Sequence, residues 1–452
     1  MDIQDRKEII DNISFLAQKQ DIPKLKNIII DIHPADLADI MRELDDAERD
    51  LLFSLLDPET ASDVVVELDE VTRDHLIQDM EEKRLTEIVD EMDSDDATDV
   101  VADLPDELAQ KVLSQIDSED RAEVEKLIVH DEETAGGIMA MEFVAVHEDQ
   151  TVDDAIQEIR QKAQEVEEVY NVYAIDRSGK LVGVVSLKKL LLSNPGMHIK
   201  DIMKTDVISV TVEEDQEHVA NIVRKYDLVS VPVVDNQNRL VGRITVDDIV
   251  DVMQEEATED LQRMAGIVDE EVLQETSALR ISKFRLPWLL VAFVGETVSA
   301  LVMHHFQATI DQILSMAFFI PLIMAMGGNS GSQSAMIVVR SIALAEAGTS
   351  NTLERILREL RVALLNGIII GLLLFAMVQL WMQDPYFGLL IAFALLFVIV
   401  NAAIVGSLVP YILNRLHFDP AIATGPFIST ANDVLGLFIY LGLTTIYINW
   451  TH

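Results

Sequence analysis

The chain has 452 residues, 49% of them hydrophobic, with 34 Lys+Arg against 78 Asp+Glu, a formal charge of −44 and no cysteine. Such a length allows roughly three domains. The missing cysteine excludes disulfides and thiolate metal sites, and the acidic excess leaves no basic patch for a nucleic-acid partner. The charge is unevenly placed: residues 281–452 hold 7 basic and 8 acidic residues, a net −1, so residues 1–280 carry −43. Two materials are therefore joined near Arg280, a soluble part that attracts cations and a nearly neutral apolar part. No basic stretch followed by an apolar core opens the chain, so no cleaved signal peptide is expected.

From residue 1 to 130 the pattern is helical and repetitive. Ala61-Ser-Asp-Val-Val-Val-Glu-Leu68 recurs as Ala97-Thr-Asp-Val-Val-Ala-Asp-Leu104, 36 residues on, with short helix-sized units between. Pro58 and Pro105, each followed by acids, supply helix-start chemistry. Helices this short bury no face alone, so they are expected to stack into an all-α superhelix. Its polar side is crowded by Asp63, Asp69, Asp90, Asp93, Asp95, Asp96, Asp99 and Asp103. Such a run is either a solvated face or a cation-binding surface.

After Glu133-Thr-Ala-Gly-Gly137 the period changes, and residues 138–199 and 200–258 read as two copies of one α/β unit. Val172-Tyr-Ala-Ile-Asp176 and the stretch Gly179 to Ser186 are matched 59 residues later by Val231-Pro-Val-Val-Asp235 and Asn238 to Thr245. Each copy reads as strand, polar turn, strand and helix. This resembles a pair of cystathionine-β-synthase (CBS) domains. The resemblance implies that a Gly-x-x-[Ser/Thr]-x-x-Asp element can hold a ribose and phosphate, and the second copy has Gly242, Thr245 and Asp248. The first copy has Lys189 where the acid would fall after Ser186, so ATP as a modulator is left open.

Residues 259–280 are expected to form an amphipathic connecting helix, in a stretch from Met253 rich in Glu255, Glu256, Glu259, Asp260, Asp269, Glu270 and Glu271. It either transmits position to the membrane part or is a plain linker. Five apolar runs follow, Pro287–Met303, Ile313–Leu344, Val362–Met382, Phe387–Leu413 and Ala421–Ile448, read as helical membrane spans. Lys283, Arg285, Arg340, Arg355, Arg358, Arg361 and Arg415 all fall on one side of them. By the positive-inside rule the acidic domains are cytoplasmic, the chain sits in the cell (inner) membrane, and the C-terminus lies outside.

Pro321 to Ala335 places Gly327, Gly328 and Gly331 among Asn329, Ser330, Ser332 and Gln333 inside an apolar run. It predicts either a broken helix beside a water-filled path or a close-packed seam. Ionisable groups at membrane depth are costly and mark function by default. Asp433 follows Pro426 and Ser429-Thr430-Ala431-Asn432, with Gly436 one turn on. Glu296 lies midway along the first span, protonated or bonded to another helix. His304 and His305 fall in an outer loop, the spans hold no nucleophile–His–acid set, and no Gly-x-x-x-x-Gly-Lys-[Ser/Thr] motif is present. An intramembrane enzyme and an ATP-driven pump are therefore not expected.

This order of parts, with Pro321 to Gln333 and Pro420-Ala421, Pro426 and Asp433 in the spans, resembles the MgtE family of magnesium channels and transporters along the whole chain. The fold implied is multidomain: a superhelical domain over 1–130, CBS copies over 138–199 and 200–258, the connecting helix 259–280 and a five-span α-helical bundle over 281–452. The resemblance further implies a homodimer in the lipid bilayer whose second and fifth spans line one pore. Asp433 would select the ion, with Asn329, Gln333, Asn432, Thr430 and Gly436 around it. Cytosolic Mg²⁺ would close the pore by bridging Asp63, Asp95, Asp99, Asp215, Asp227, Asp248, Glu256, Glu259, Asp260 and Asp419. Mg²⁺ is a hard cation that prefers oxygen ligands and keeps much of its water, so few carboxylates with amide, hydroxyl and carbonyl oxygens suit its passage. Two other readings stay open: a broader transporter of Co²⁺, Ni²⁺ or Mn²⁺, and a nucleotide-sensing membrane receptor that conducts nothing. A receptor has no need of Asp433.

Overall fold

A computed structural model describes residues 3–78, 80–162, 166, 169–265, 278–343, 352–416, 418–420 and 425–451. The chain divides into two compact units, Met1–Met253 and Gln254–His452.

The first unit opens with ten short helices: α1 (Ile3–Gln18), α2 (Ile22–Ile29), α3 (Pro34–Glu43), α4 (Asp46–Ser54), α5 (Pro58–Glu67), α6 (Glu70–Gln78), α7 (Glu82–Val89), α8 (Ser94–Ala102), α9 (Asp106–Gln115) and α10 (Ser118–Leu127). Several begin on an aspartate whose side chain accepts a backbone N–H of the first turn: Asp45 from Glu48 at 2.9 Å, Asp57 from Thr60 at 3.1 Å, Asp69 from Thr72 at 3.0 Å and Asp117 from Glu119 at 3.0 Å. Part of the acidic charge is thus capping chemistry, which satisfies donors that a helix start leaves open. Helix α3 packs on α5, α5 on α7, α7 on α9 and α8 on α10 around one apolar core. The 36-residue repeat carries α5 onto α8, three helices along. Ala61, Val64, Val65 and Leu68 are buried in the first, and Ala97, Val100, Val101 and Leu104 in the second.

The CBS pair follows. Its first copy has strands β1 (Ala145–His147), β2 (Asn171–Ile175) and β3 (Leu181–Ser186) with helices α11 (Val152–Lys162), α12 (Leu187–Leu192) and α13 (Ile199–Ile202). The second has β4 (Val210–Thr211), β5 (Ser230–Val234) and β6 (Leu240–Thr245) with α14 (Gln216–Tyr226) and α15 (Val246–Ala265). In each sheet the first pairing is parallel and the second antiparallel, and both carry a register shift at the same place, Ala174/Ile175 and Val233/Val234. The copies are interleaved. Ala140, leading into the first, bridges Arg243 of β6, and Lys204, leading into the second, bridges Val184 of β3. The hairpin tips are also joined, the Leu181 N–H donating to Asn238 and the Leu240 N–H to Gly179. Gly179 (φ +80°) and Asn238 (φ 62°) occupy equivalent left-handed turn positions, which Gly and Asn tolerate best. The polar connecting stretch begins as the second half of α15, a single helix, rather than as a separate element from Met253.

Among the described residues of the second unit, five helices are long and apolar enough to cross a membrane: Ile281–His305, Leu314–Ile342, Leu353–Met382, Pro385–Arg415 and Phe427–Trp450. The fourth is central and packs on the second, third and fifth, while the fifth also packs on the first and second. Outward apolar residues such as Leu289, Phe293, Leu372 and Leu373 suit a hydrocarbon surround. In the second span, helix Ile320–Ala343 runs unbroken through Gly327, Gly328 and Gly331, after a 3-10 turn over Leu314–Phe319. Two of these glycines serve close approach. A Cβ on Gly406 of the fourth span would lie 2.3 Å from the Gly331 carbonyl oxygen, so the two helices meet backbone to backbone, as small residues allow in membranes. Gly327 packs against Val398, whereas a Cβ on Gly328 would meet nothing within 4 Å. Gly406→Ala is therefore expected to lower the melting temperature of the detergent-purified protein, and Gly328→Ala, which only gains helix propensity, to leave it unchanged or raise it.

Candidate ion-binding sites

Asp433 lies about two turns into the helix that starts at Pro426. Its carboxyl is half-buried and hydrogen-bonded to the Glu296 carboxyl of the first span. Gly295 makes the meeting possible: a Cβ there would stand 1.6 Å from Cγ2 of Thr430, so the Thr430 side chain fills the glycine's notch and draws the first span onto the fifth. Asn432 points the other way. It is 1% exposed and packs where a Cβ on Gly331 would be 1.9 Å from its Nδ2, and neither side-chain amide atom has a hydrogen-bond partner among the described residues. Gly436 is buried under Val398. Asn329 and Gln333, one turn apart on the second span, lie on a face this chain leaves exposed.

The structure thus joins Asp433 to Glu296 and sets Thr430 beside them, but places Asn432 in a seam and Asn329 and Gln333 on an open face. Sequence reasoning missed two contributors. Gly295 is one; its signal was its place directly before a membrane acid. The other is Glu359 of the third span, 8% exposed, which accepts a 3.4 Å hydrogen bond from Ser334 of the second. An acid inside the basic run from Arg355 to Arg361 was the available sign.

A second constellation lies in the first unit. Asp93, Asp95 and Asp96 at the start of α8 and Asp247 and Asp248 at the start of α15 line a cleft of about 460 Å³ with Tyr170, Arg243 and Thr245. Helix starts favour acids, which explains why both groups sit there. Asp248 accepts the backbone N–H of Thr245 at 3.0 Å and its hydroxyl at 2.7 Å. Glu142 nearby accepts the Ser94 backbone N–H at 3.0 Å and its hydroxyl at 2.9 Å. Burial, reinforced by the charges of Asp96 and Asp248, holds the Asp95 carboxyl well above its usual range. Burial, then Asp248, pushes Asp96 up to about 8. Burial raises Asp248 to about 6 against the pull of its Thr245 hydrogen bonds, and raises Glu142. Among the described residues no three His, Asp or Glu side chains form a complete metal shell. An ion here would be held partly through water, as Mg²⁺ commonly is.

The other expected regulatory acids are scattered. Asp63 and Asp99 are exposed on α5 and α8. Asp215 caps α14 by accepting the His218 N–H at 3.2 Å, and Asp227 ends that helix in the left-handed region at φ 51°. Glu256 is half-buried on α15. Glu259 and Asp419 converge on Arg263, whose Nη1 is 2.6 Å from Asp419 Oδ2 and whose Nη2 contacts Glu259 Oε1. The side chain of Asp260 lies outside the described residues, as do Ala421 and 266–277. Asp96 was not anticipated as a member of the site, although it adjoins Asp95 in the same first turn.

A second cleft of the CBS pair, of about 480 Å³, is lined by Asn171, Tyr173, Ser186 and Lys189 of the first copy and Lys204, Asp206 and Ser230 of the second, among others. The Tyr173 hydroxyl and Ser230 Oγ are 2.7 Å apart at its buried wall. The two clefts are opposite in charge. Thr245 and Asp248, the expected ribose-binding pair, face the acidic one.

An acidic superhelix, a CBS pair and five apolar helices with a carboxyl pair among them define a multi-pass membrane protein of the ion-transport class. The chain matches the family described as divalent cation transporter, MgtE, over residues 320–443, the MgtE intracellular N domain over 32–133, and CBS domains over 135–194 and 199–255. It is 36% identical over 329 residues to the magnesium transporter MgtE of Enterococcus faecalis, covering 73% of this chain and 72% of the relative. With the magnesium transporter MgtE of Thermus thermophilus it shares 33% identity over 323 residues, 71% of this chain and 72% of that protein. Among solved structures, the soluble part of a magnesium transporter is 33% identical with a TM-score of 0.51, covering 56% of this chain and 99% of the other. The cytosolic domain of the Mg²⁺ channel MgtE in complex with ATP is 34% identical with a TM-score of 0.52, covering 54% and 99%. The chain belongs to the MgtE family.

The raised carboxyls fix the sign of a pH effect. In cation-free protein they favour the fold on the acid side, and that contribution is lost as pH rises through about 6 for Asp248 and about 8 for Asp96. A divalent cation entering the cleft must displace those protons, so its affinity is expected to fall as pH is lowered from about 9 to about 6. Titration of MgCl₂ by calorimetry, in buffers of different ionisation enthalpy, should register proton release near neutral pH that Asp96→Asn reduces.

Proposed function

We propose that this protein is a Mg²⁺-selective channel or transporter through which Mg²⁺ runs down its electrochemical gradient into the cell, and that cytosolic Mg²⁺ bound to the acidic domains closes it. The observation that carries the reading is Asp433, an acid at membrane depth, held against Glu296 through the Gly295 notch. Carboxyl groups there are costly unless they serve an ion path. The named relatives are magnesium transporters, and one solved neighbour is described as a Mg²⁺ channel.

A homodimer would supply a second Asp433. The exposed Asn329–Gln333 face of the second span and the sparsely covered first span offer the apolar and polar surface such a partner needs. All seven basic residues of 281–452 lie toward one end of the spans, which supports cytoplasmic acidic domains and an outside C-terminus. For closure, Mg²⁺ between Asp95, Asp96 and Asp248 would relieve repulsion in a soluble part of charge −43, with Asp63, Asp99, Asp215, Asp227 and Glu256 as further acids. When Mg²⁺ falls, the acids repel and the pore opens. ATP, present in the solved neighbour, fits a modulator's role here. Charge directs its phosphates to Lys189 of the first copy and Lys204 of the second rather than to the aspartates around Thr245.

Asp433→Ala is expected to reduce Mg²⁺ uptake into proteoliposomes to the level of empty vesicles. Uptake unchanged by the substitution would remove the pore assignment. Deleting residues 1–130 should leave uptake running at millimolar cytosolic Mg²⁺, and normal closure of that truncation would take the superhelix out of the switch.

A further inference from the structure

The end of α15 is held to the loop before the fifth span by one guanidinium. Arg263 lies in the helix's last turn, where the backbone carbonyls favour a cation. It contacts Glu259 one turn back and, through Nη1 at 2.6 Å, Asp419, 156 residues on. All three side chains are largely shielded, 28% exposed for Arg263, 30% for Glu259 and 23% for Asp419. The adjoining Gln262 is only 7% exposed, so this helix end is seated rather than splayed. Asp419 stands just ahead of the helix that begins at Pro426 and carries Asp433. Whatever holds Asp419 therefore bears on the start of the fifth span.

Glu259 and Asp419 are two of the acids expected to be bridged by cytosolic Mg²⁺. Here they already have a cation, and it belongs to the chain. We propose that Arg263 is a positioning residue of the gate: a tethered positive charge that draws Glu259 and Asp419 together and lowers the Mg²⁺ concentration needed for closure. It neutralises at the pore mouth what would otherwise require one more ion. The inference rests on the Mg²⁺-gated reading above and names its regulation. A guanidinium is always charged and offers a fork of donors to two carboxylates at once. Its hold does not vary with cytosolic Mg²⁺, so it sets a fixed bias that metal bound elsewhere completes.

The test measures Mg²⁺ flux in proteoliposomes against Mg²⁺ on the domain side, for wild type, Arg263→Gln, Arg263→Lys, Asp419→Asn and the double variant Arg263→Gln/Asp419→Asn. Loss of the pair should raise the half-closing concentration about fivefold, near the upper end for a partly exposed ion pair. Arg263→Lys, which keeps the charge, should recover most of it. The double variant should be shifted less than the sum of the two single ones, because the acid left unpaired by Arg263→Gln is then neutral. An unshifted Arg263→Gln, or one that closes at lower Mg²⁺ because metal no longer competes with the guanidinium, overturns the proposal. A reading independent of conduction comes from nitroxides on cysteines at the exposed Ala257 and Leu416, unique labels in a chain without cysteine. Their separation in Mg²⁺-free buffer should widen in Arg263→Gln and return in Arg263→Lys; equal distances in all three overturn the proposal. Should Arg263→Gln fail to fold, Asp419→Asn puts the same question from the other side. If wild type passes no Mg²⁺, the functional reading fails while the distances still report on the contact.

Discussion

Carboxyl groups pressed together away from bulk water need positive charge between them, and this requirement organises the molecule at three places. In the cleft between α8 and α15, burial and the neighbouring carboxylates hold Asp95, Asp96 and Asp248 above the usual carboxylate range, which favours protons there. Beside the loop that precedes the fifth span, the Arg263 guanidinium supplies positive charge to Glu259 and Asp419. Within the spans, Asp433 and Glu296 meet over a hydrogen bond. A protein with 44 more acidic than basic side chains has built three differently answered versions of one electrostatic problem.

Glycine decides where the membrane acids can stand. Gly406 against the Gly331 carbonyl brings the fourth span onto the second, Gly331 receives Asn432 of the fifth, and Gly295 of the first receives Thr430. These contacts tie four of the five spans by small residues rather than by apolar bulk, as expected where lipid offers no hydrophobic gain for helix association. The buried, unpartnered amide of Asn432 sits at the centre of this seam. Its desolvation cost is concentrated beside Asp433 in the chain, where a change of helix packing would let the amide find water or an ion.

Much of this was legible in the sequence because it is periodic. The 36-residue repeat showed which positions of α5 and α8 face the core, since equal spacing on helices of similar length repeats the buried side. The CBS copies were legible from matched strands and turn residues, and the five spans from apolar length. What stayed hidden depends on partners distant in sequence. A run of Gly327, Gly328 and Gly331 reads as a packing seam or a pore wall, and its close contacts with Gly406 and Asn432, each more than 70 residues away, show only in the fold. Arg263 has its partner Asp419 156 residues on, beyond the reach of any local pattern. Thr245 and Asp248 fit a ribose motif by spacing, whereas the aspartates that α8 brings to the same cleft come from more than 140 residues earlier and show only in the fold.

The crossed lead-ins of the CBS pair carry a consequence for how such a protein could have arisen. Ala140 completes the edge of the second sheet and Lys204 that of the first, so neither half is finished by its own residues. An ancestral single half would have left an open strand border that only another molecule could close. Fusion of two copies into one polypeptide would then have turned an encounter between separate chains into an internal contact at high effective concentration. From that point the two clefts were free to diverge, one toward lysine and the other toward aspartate, without either half losing the support it borrows from its twin.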